Sequence, residues 1–136
     1  MKPPREFRLP SHAAAALAVA FAHITLRLAG LRGSLRWVRS HTRRRATAAT
    51  VSPDSIRSAA HRVARAAAFY PGRVECLEQS LALYLLLRRR GVAVELRMGV
   101  RPAPFTAHAW IEYRGQPINE TEDFIQQLTP FPNIGG

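Results

Sequence analysis

Residues 76–100, CLEQSLALYLLLRRRGVAVELRMGV, decide the fold. Leu77, Leu81, Leu83, Leu85, Leu86 and Leu87 make the first part apolar nearly all round, which predicts a central, buried helix over about 76–90. Arg88, Arg89 and Arg90 suit the negative end of its dipole, and Gly91 stops it. Val92–Val100 then alternates as a strand does, with Pro102 and Pro104 closing it. Downstream, Thr106–Tyr113 (TAHAWIEY) predicts a second strand, Arg114-Gly115 a hairpin turn and Gln116–Asn119 a third strand. The tail from Thr129 reads as irregular. Upstream, Tyr70-Pro71-Gly72 breaks the chain. Before that break, Ser52-Pro53-Asp54 starts a helix that runs to about Ala68, with Ile56, Ala59, Ala60, Val63, Ala64 and Ala67 on its apolar face. Helices followed by an antiparallel meander make an α+β layout.

The 136 residues fit one domain, and 47% hydrophobic content is enough for folding. The formal charge is +11, with Glu6 the one acid in the first 45 residues. Such an excess favours anionic partners, although a solvated basic face is its commonest meaning. Residues 1–10 form an extended leader with three prolines, and Ser11 caps a helix over about 12–30 whose end Gly30 and Gly33 weaken. Residues 34–45 either continue this helix or form a surface arm. The apolar run Ala13–Ala22 follows Lys2, Arg5 and Arg8, and Ala20-Phe21-Ala22 resembles a signal-cleavage site. The pattern continues past it, however, and His23 and Arg27 interrupt a span. The expectation is a cytoplasmic protein with an amphipathic basic N-terminal helix and, at most, peripheral membrane contact.

One cysteine excludes an intramolecular disulfide and multi-cysteine zinc sites. A lone cysteine is more often a packing residue than a nucleophile. Cys76, however, falls at a helix start, where free N–H groups and the dipole favour a thiolate and can bind an oxyanion. His108, on the second strand with Trp110 and Glu112 on the same face, is the candidate base, expected to reach the start of the central helix from the side of the sheet on which that helix packs. Counting pairs outward from the Arg114-Gly115 turn sets His108 beside residues 120–122, so Glu120 is the candidate acid, with Glu112, Glu122 and Asp123 as rivals. His12, His23, His41 and His61 read as surface or packing residues. No His/Asp/Glu pair has metal-ligand spacing, so no metal or cofactor is expected.

The blocks Cys76–Leu83, Leu87–Gly91 and Ala107–Glu112, in that order, resemble the transglutaminase-like peptidase domain of lasso-peptide biosynthesis, found at the C-terminal end of microcin-type B proteins or as a stand-alone chain. The resemblance covers about residues 54–128. It implies a transglutaminase-like, papain-like core with the nucleophile at the N-terminus of the central helix. It also implies a cysteine peptidase that removes the leader from a ribosomally made precursor peptide. A separate leader-recognition protein would deliver the substrate, and an asparagine-synthetase-like cyclase would close the ring with ATP. By motif position Cys76 is the nucleophile and His108 the base. The family's acid is often Asp, and Glu120 stands at that position. Residues 51–136 are then the catalytic domain, and residues 1–50 a basic helical region for docking to a partner or a membrane.

Two other readings follow from the same residues. An amine in place of water would make the site a transglutaminase-like acyl transferase. Arg32, Arg36, Arg39, Arg43, Arg44 and Arg45 with Trp37 fit a nucleic-acid-binding module, but this stretch lies outside the Cys/His core, and specific nucleic-acid binding is not expected.

Overall fold

The computed structural model describes residues 7–42, 51–72 and 74–131. Helix α1 (His12–Thr42) is followed by α2 (Pro53–Phe69) and α3 (Cys76–Arg89). Strands β1 (Glu95–Pro102), β2 (Phe105–Tyr113) and β3 (Gln116–Pro117) follow, then the short α4 (Glu122–Gln126) and β4 (Thr129–Pro130). The antiparallel sheet has the order β3-β2-β1-β4. The layout is the expected α+β fold.

Helix α3 is central because its sequence leaves it no polar face. Residues Ser80–Leu87 are all buried, and α3 touches α1, α2, β1 and β2. Small residues on α1 (Ala15, Ala18 and Ala22) and on α2 (Ala59 and Ala67) are buried in the same core. Helix α2 starts as its residues dictate: Ser52 Oγ accepts from the Ser55 N–H, and Pro53 occupies the first turn. At the other end Tyr70 caps it in an extended conformation.

The structure decides one open expectation and alters three, each for a local reason. Helix α1 continues past Gly30, the first of the two readings of residues 34–45. Gly30 takes φ 70°, kinks the helix and lets it resume to Thr42, while residues 43–45 lie outside the described residues. β1 starts at Glu95 rather than Val92, because Val92 is used to finish α3. Its N–H reaches the Leu87 carbonyl at 3.0 Å and that of Gly91, at φ 81°, reaches Arg88 at 3.1 Å, the double bond of a Schellman end. β3 is only two residues long, for a reason that belongs to the site below. The tail is not wholly irregular. Thr129–Pro130 pairs with β1, and the Phe131 N–H donates to the Met98 carbonyl. Gly99 allows this close approach, since a Cβ there would lie 3.1 Å from Leu128 Cβ and from the Thr129 carbonyl oxygen.

Candidate active site

The alternation of β2 sorts its side chains. Ala109, Ile111 and Tyr113 belong to the core shared with α3. His108, Trp110 and Glu112 therefore point to the other face, which the 119–131 segment covers. His108 does not meet α3 on the helix-bearing side of the sheet, as the sequence suggested. It meets Cys76 across an open strand edge.

That edge exists because β3 is short. In the β1–β2 register Ala109 sits opposite Met98. Met98 uses its carbonyl on the β4 side, so the backbone groups of Ala109 face away from β1. With no third strand there, α3 supplies the partners. Ser80 Oγ donates to the Ala109 carbonyl at 3.1 Å, and Cys76, one turn earlier on the same helix face, hydrogen-bonds the Ala109 backbone. Asn119 completes the edge. Its Oδ1 accepts from the Ile111 N–H at 2.8 Å, and its Nδ2 donates to Ser80 Oγ at 3.1 Å. The Asn119 side chain thus occupies the donor that a longer β3 would have paired, and this ends the strand.

Directly after Asn119, Glu120 turns back to the sheet. Its Oε2 lies 2.6 Å from His108 Nε2, and its Oε1 accepts from the Thr121 N–H at 3.2 Å. Thr121 also caps α4 through the Phe124 N–H, and the Phe124 ring meets the imidazole edge-on at 5.0 Å. With Nε2 engaged by Glu120, Nδ1 is the nitrogen left for the Cys76 thiol, which hydrogen-bonds His108.

The structure therefore brings Cys76, His108 and Glu120 into one line. Glu112 is held elsewhere, accepting from Trp110 Nε1 at 3.1 Å with Arg97 at 3.9 Å. Glu122 and Asp123 are exposed in the first turn of α4. Of the other histidines, His12, His41 and His61 are exposed, and His23 packs on Tyr70 and lies 3.5 Å from Glu78. Trp37 is stacked on His41 at 4.1 Å and lies 4.8 Å from Phe21. Among the described residues no group of three or more His, Cys, Asp or Glu side chains could hold a metal ion.

The electrostatics favour charge separation. The hydrogen bond with His108 holds the Cys76 thiol below its ordinary pKa, against partial burial, with further help from the Ala109 and Leu77 backbone. The hydrogen bond with Cys76 raises His108, against its own burial, and Glu120 adds to the rise. Thiolate and imidazolium stabilise one another, so the two titrate as a pair. The start of α3 also contributes, though less freely than its sequence suggests. Glu75 and Glu78 form a reciprocal capping box that occupies two of the end's N–H donors, and Leu77 addresses the thiol.

A groove of about 420 Å³ adjoins this line between α2, α3 and residues 118–121. Gln79 and Leu83 border it from α3, His61 and Ala64 from α2, and Asn119 and Glu120 from the loop. Sequence reasoning missed the groove, and it missed Ser80 and Asn119. One signal was available for Ser80: a hydroxyl on a helix buried all round needs a fixed partner. Replacing Asn119 by alanine would strand the Ile111 N–H and the Ser80 hydroxyl. The expected loss is about 1–3 kcal/mol of stability, read as a lower urea midpoint at unchanged slope.

Comparison with known proteins agrees with this architecture. A sequence model described as the transglutaminase-like superfamily matches residues 13–133. The microcin J25-processing protein McjB of Escherichia coli is 37% identical over 60 residues, covering 44% of this chain and 29% of McjB. The match thus spans less than a third of that relative. No solved structure matches.

Proposed function

The chain belongs to the transglutaminase-like superfamily, and on that premise we propose that it is a cysteine peptidase that removes the leader from a lasso-peptide precursor. The observation that carries this reading is the line Cys76–His108–Glu120, with the thiol lowered and the imidazole raised by their mutual hydrogen bond. The similarity to a microcin-processing protein supports a peptide precursor as substrate.

The thiolate of Cys76 attacks the carbonyl carbon of the leader–core peptide bond. The carbonyl oxygen becomes an oxyanion, for which the Cys76 N–H at the α3 start is the donor we assign. The His108 imidazolium gives its proton to the amide nitrogen, the C–N bond breaks, and the core leaves with a free α-amine. The leader remains as a thioester on Cys76. Neutral His108 then takes a proton from water, whose oxygen attacks the thioester, and the leader departs with a carboxylate. Glu120 holds Nε2–H throughout, which fixes the tautomer and stabilises the imidazolium. A leader-recognition protein presents the substrate, and an ATP-dependent, asparagine-synthetase-like cyclase uses the freed amine. The cytoplasm suits a free, ionisable thiol.

The test is a mass measurement on precursor incubated with the full chain and the leader-recognition protein. The expected products are a linear core peptide with a free α-amine and a leader ending in a free carboxylate, their summed mass one water above that of the precursor. A leader carrying an added amine would replace hydrolysis by acyl transfer, the outcome that the superfamily's name keeps in view. Intact precursor would overturn the reading. Glu120→Gln keeps the shape of the acid but removes its charge, and is expected to lower kcat/KM by about 10²-fold or more. Glu112→Gln, beside Trp110 and Arg97, is expected to leave kcat within a few-fold of wild type in the same assay.

A further inference from the structure

Helix α1 is not amphipathic in the expected sense. Its inward side places Ala15, Ala18, Val19 and Ala22 in the core. Its opposite side, in the first half, is also apolar. Ala13, Leu17, Ala20, Ile24 and Leu28 fall on one stripe at helical spacing. Leu17 is 72% exposed, Ile24 51% and Leu28 83%. A solvated helix carries charges on that side, and this stripe carries only Arg27. An exposed apolar area of this kind marks an interaction surface.

The surface continues onto α2. A groove of about 520 Å³ runs between Ala16 of α1 and Ala66 and Phe69 of α2, and Phe69 is 84% exposed. Arg62 and Arg65 also line it, with Arg62 donating to the Pro10 carbonyl, and none of the lining residues is acidic. The sequence has no Asp or Glu from Phe7 to Pro53. The occupant must therefore present hydrocarbon to the stripe and negative charge beside it.

We propose that this face docks on an anionic lipid bilayer. The helix lies in the interface plane, with Leu17, Ile24, Leu28 and Phe69 at the acyl boundary and Arg27 and Arg65 among the headgroups. Hydrocarbon and anionic charge lie side by side at such a surface, which matches the pattern on the protein. By length and composition α1 would also suffice to cross a membrane. Crossing would pull Ala15, Ala18, Val19 and Ala22 out of the core they share with α3, whereas lying flat keeps that core intact. The proposal does not depend on the peptidase reading.

Flotation of the full chain with vesicles tests it. Binding to mixed phosphatidylcholine–phosphatidylglycerol vesicles is expected, weaker binding to phosphatidylcholine alone, and loss of the difference at high salt. Leu17→Ser, Ile24→Ser and Leu28→Ser together should lower the bound fraction by about tenfold. Arg27→Gln with Arg65→Gln should remove the preference for the anionic lipid. Unchanged circular dichroism and unchanged alkylation of Cys76 would show that the variants fold. Wild-type chain that fails to float with the anionic vesicles overturns the proposal, and so does a triple serine variant that floats like wild type. A wild-type dimer in solution that the serine variant abolishes, without lipid binding, would assign the face to a second copy and overturn it equally.

Discussion

Cys76→Ala is expected to abolish cleavage of the precursor, with a loss in kcat of about 10⁴–10⁶-fold. The chain has no second cysteine to take over. The nearest hydroxyl on the same helix face, Ser80, is fully buried and already bonded to the Ala109 carbonyl and Asn119. Cys76→Ser should be nearly as inactive, because His108 can pair with an ionised thiol but does not ionise a hydroxyl whose own pKa is far higher. The substitution also has a readout independent of turnover. The Cys76 hydrogen bond is the largest cause of the raised His108 pKa. In the alanine variant the imidazole should titrate at lower pH than in wild type, with Glu120 still holding it up. An NMR titration of the ring protons measures this. A variant that still cleaves would remove Cys76 from the mechanism, and an unchanged His108 titration would break the ion pair proposed here.

The parts of this arrangement that a reader of the sequence can reach are those set by local rules. Leu81–Leu87 requires burial, Ser52-Pro53 a helix start, Gly91 a helix end and Arg114-Gly115 a turn. All four appear, the last with both residues at positive φ. Counting outward from that turn placed Glu120 near His108, and the two lie 2.6 Å apart. The count succeeded even though the strand it assumed ends at Pro117. Asn119 replaces the missing backbone pairing by a side-chain bond and keeps the chain close to β2 for one more residue.

What was not legible depends on groups distant in sequence. The sequence placed His108 on the helix-bearing face, because period-two alternation says which residues share a face but not which face carries the helix. The open edge that brings Cys76 to His108 exists only because β3 stops and α3 fills the gap, a three-way event among residues 76–80, 109 and 119. The outer stripe of α1 was hidden for a similar reason. Both its inner and outer faces are largely apolar in the first half, so the pattern alone could not separate the core side from the exposed side.

His108→Ala is the second change expected to be near-complete, and its pH dependence distinguishes a catalytic loss from an unfolded protein. The proposed mechanism requires three states as pH rises: thiol with imidazolium, thiolate with imidazolium, and thiolate with neutral imidazole. The lowered Cys76 pKa moves the first step to lower pH than an ordinary thiol shows, and the raised His108 pKa moves the second step to higher pH. Alkylation of Cys76 by iodoacetamide needs only the thiolate, so it should rise through the first step and stay high. Peptide cleavage also needs the imidazolium to protonate the departing amine, so it should rise through the first step and fall through the second, giving a bell. Removing the imidazole takes away the largest cause lowering the thiol, leaving burial to oppose the weaker Ala109 and Leu77 hydrogen bonds. Alkylation at neutral pH should then slow, and its onset should shift to higher pH. Cleavage should fall by about 10⁴-fold or more across the whole range. Alkylation that keeps its wild-type onset while cleavage disappears would mean that the helix start and the strand edge, rather than His108, ionise Cys76. Cleavage that survives would move the base elsewhere.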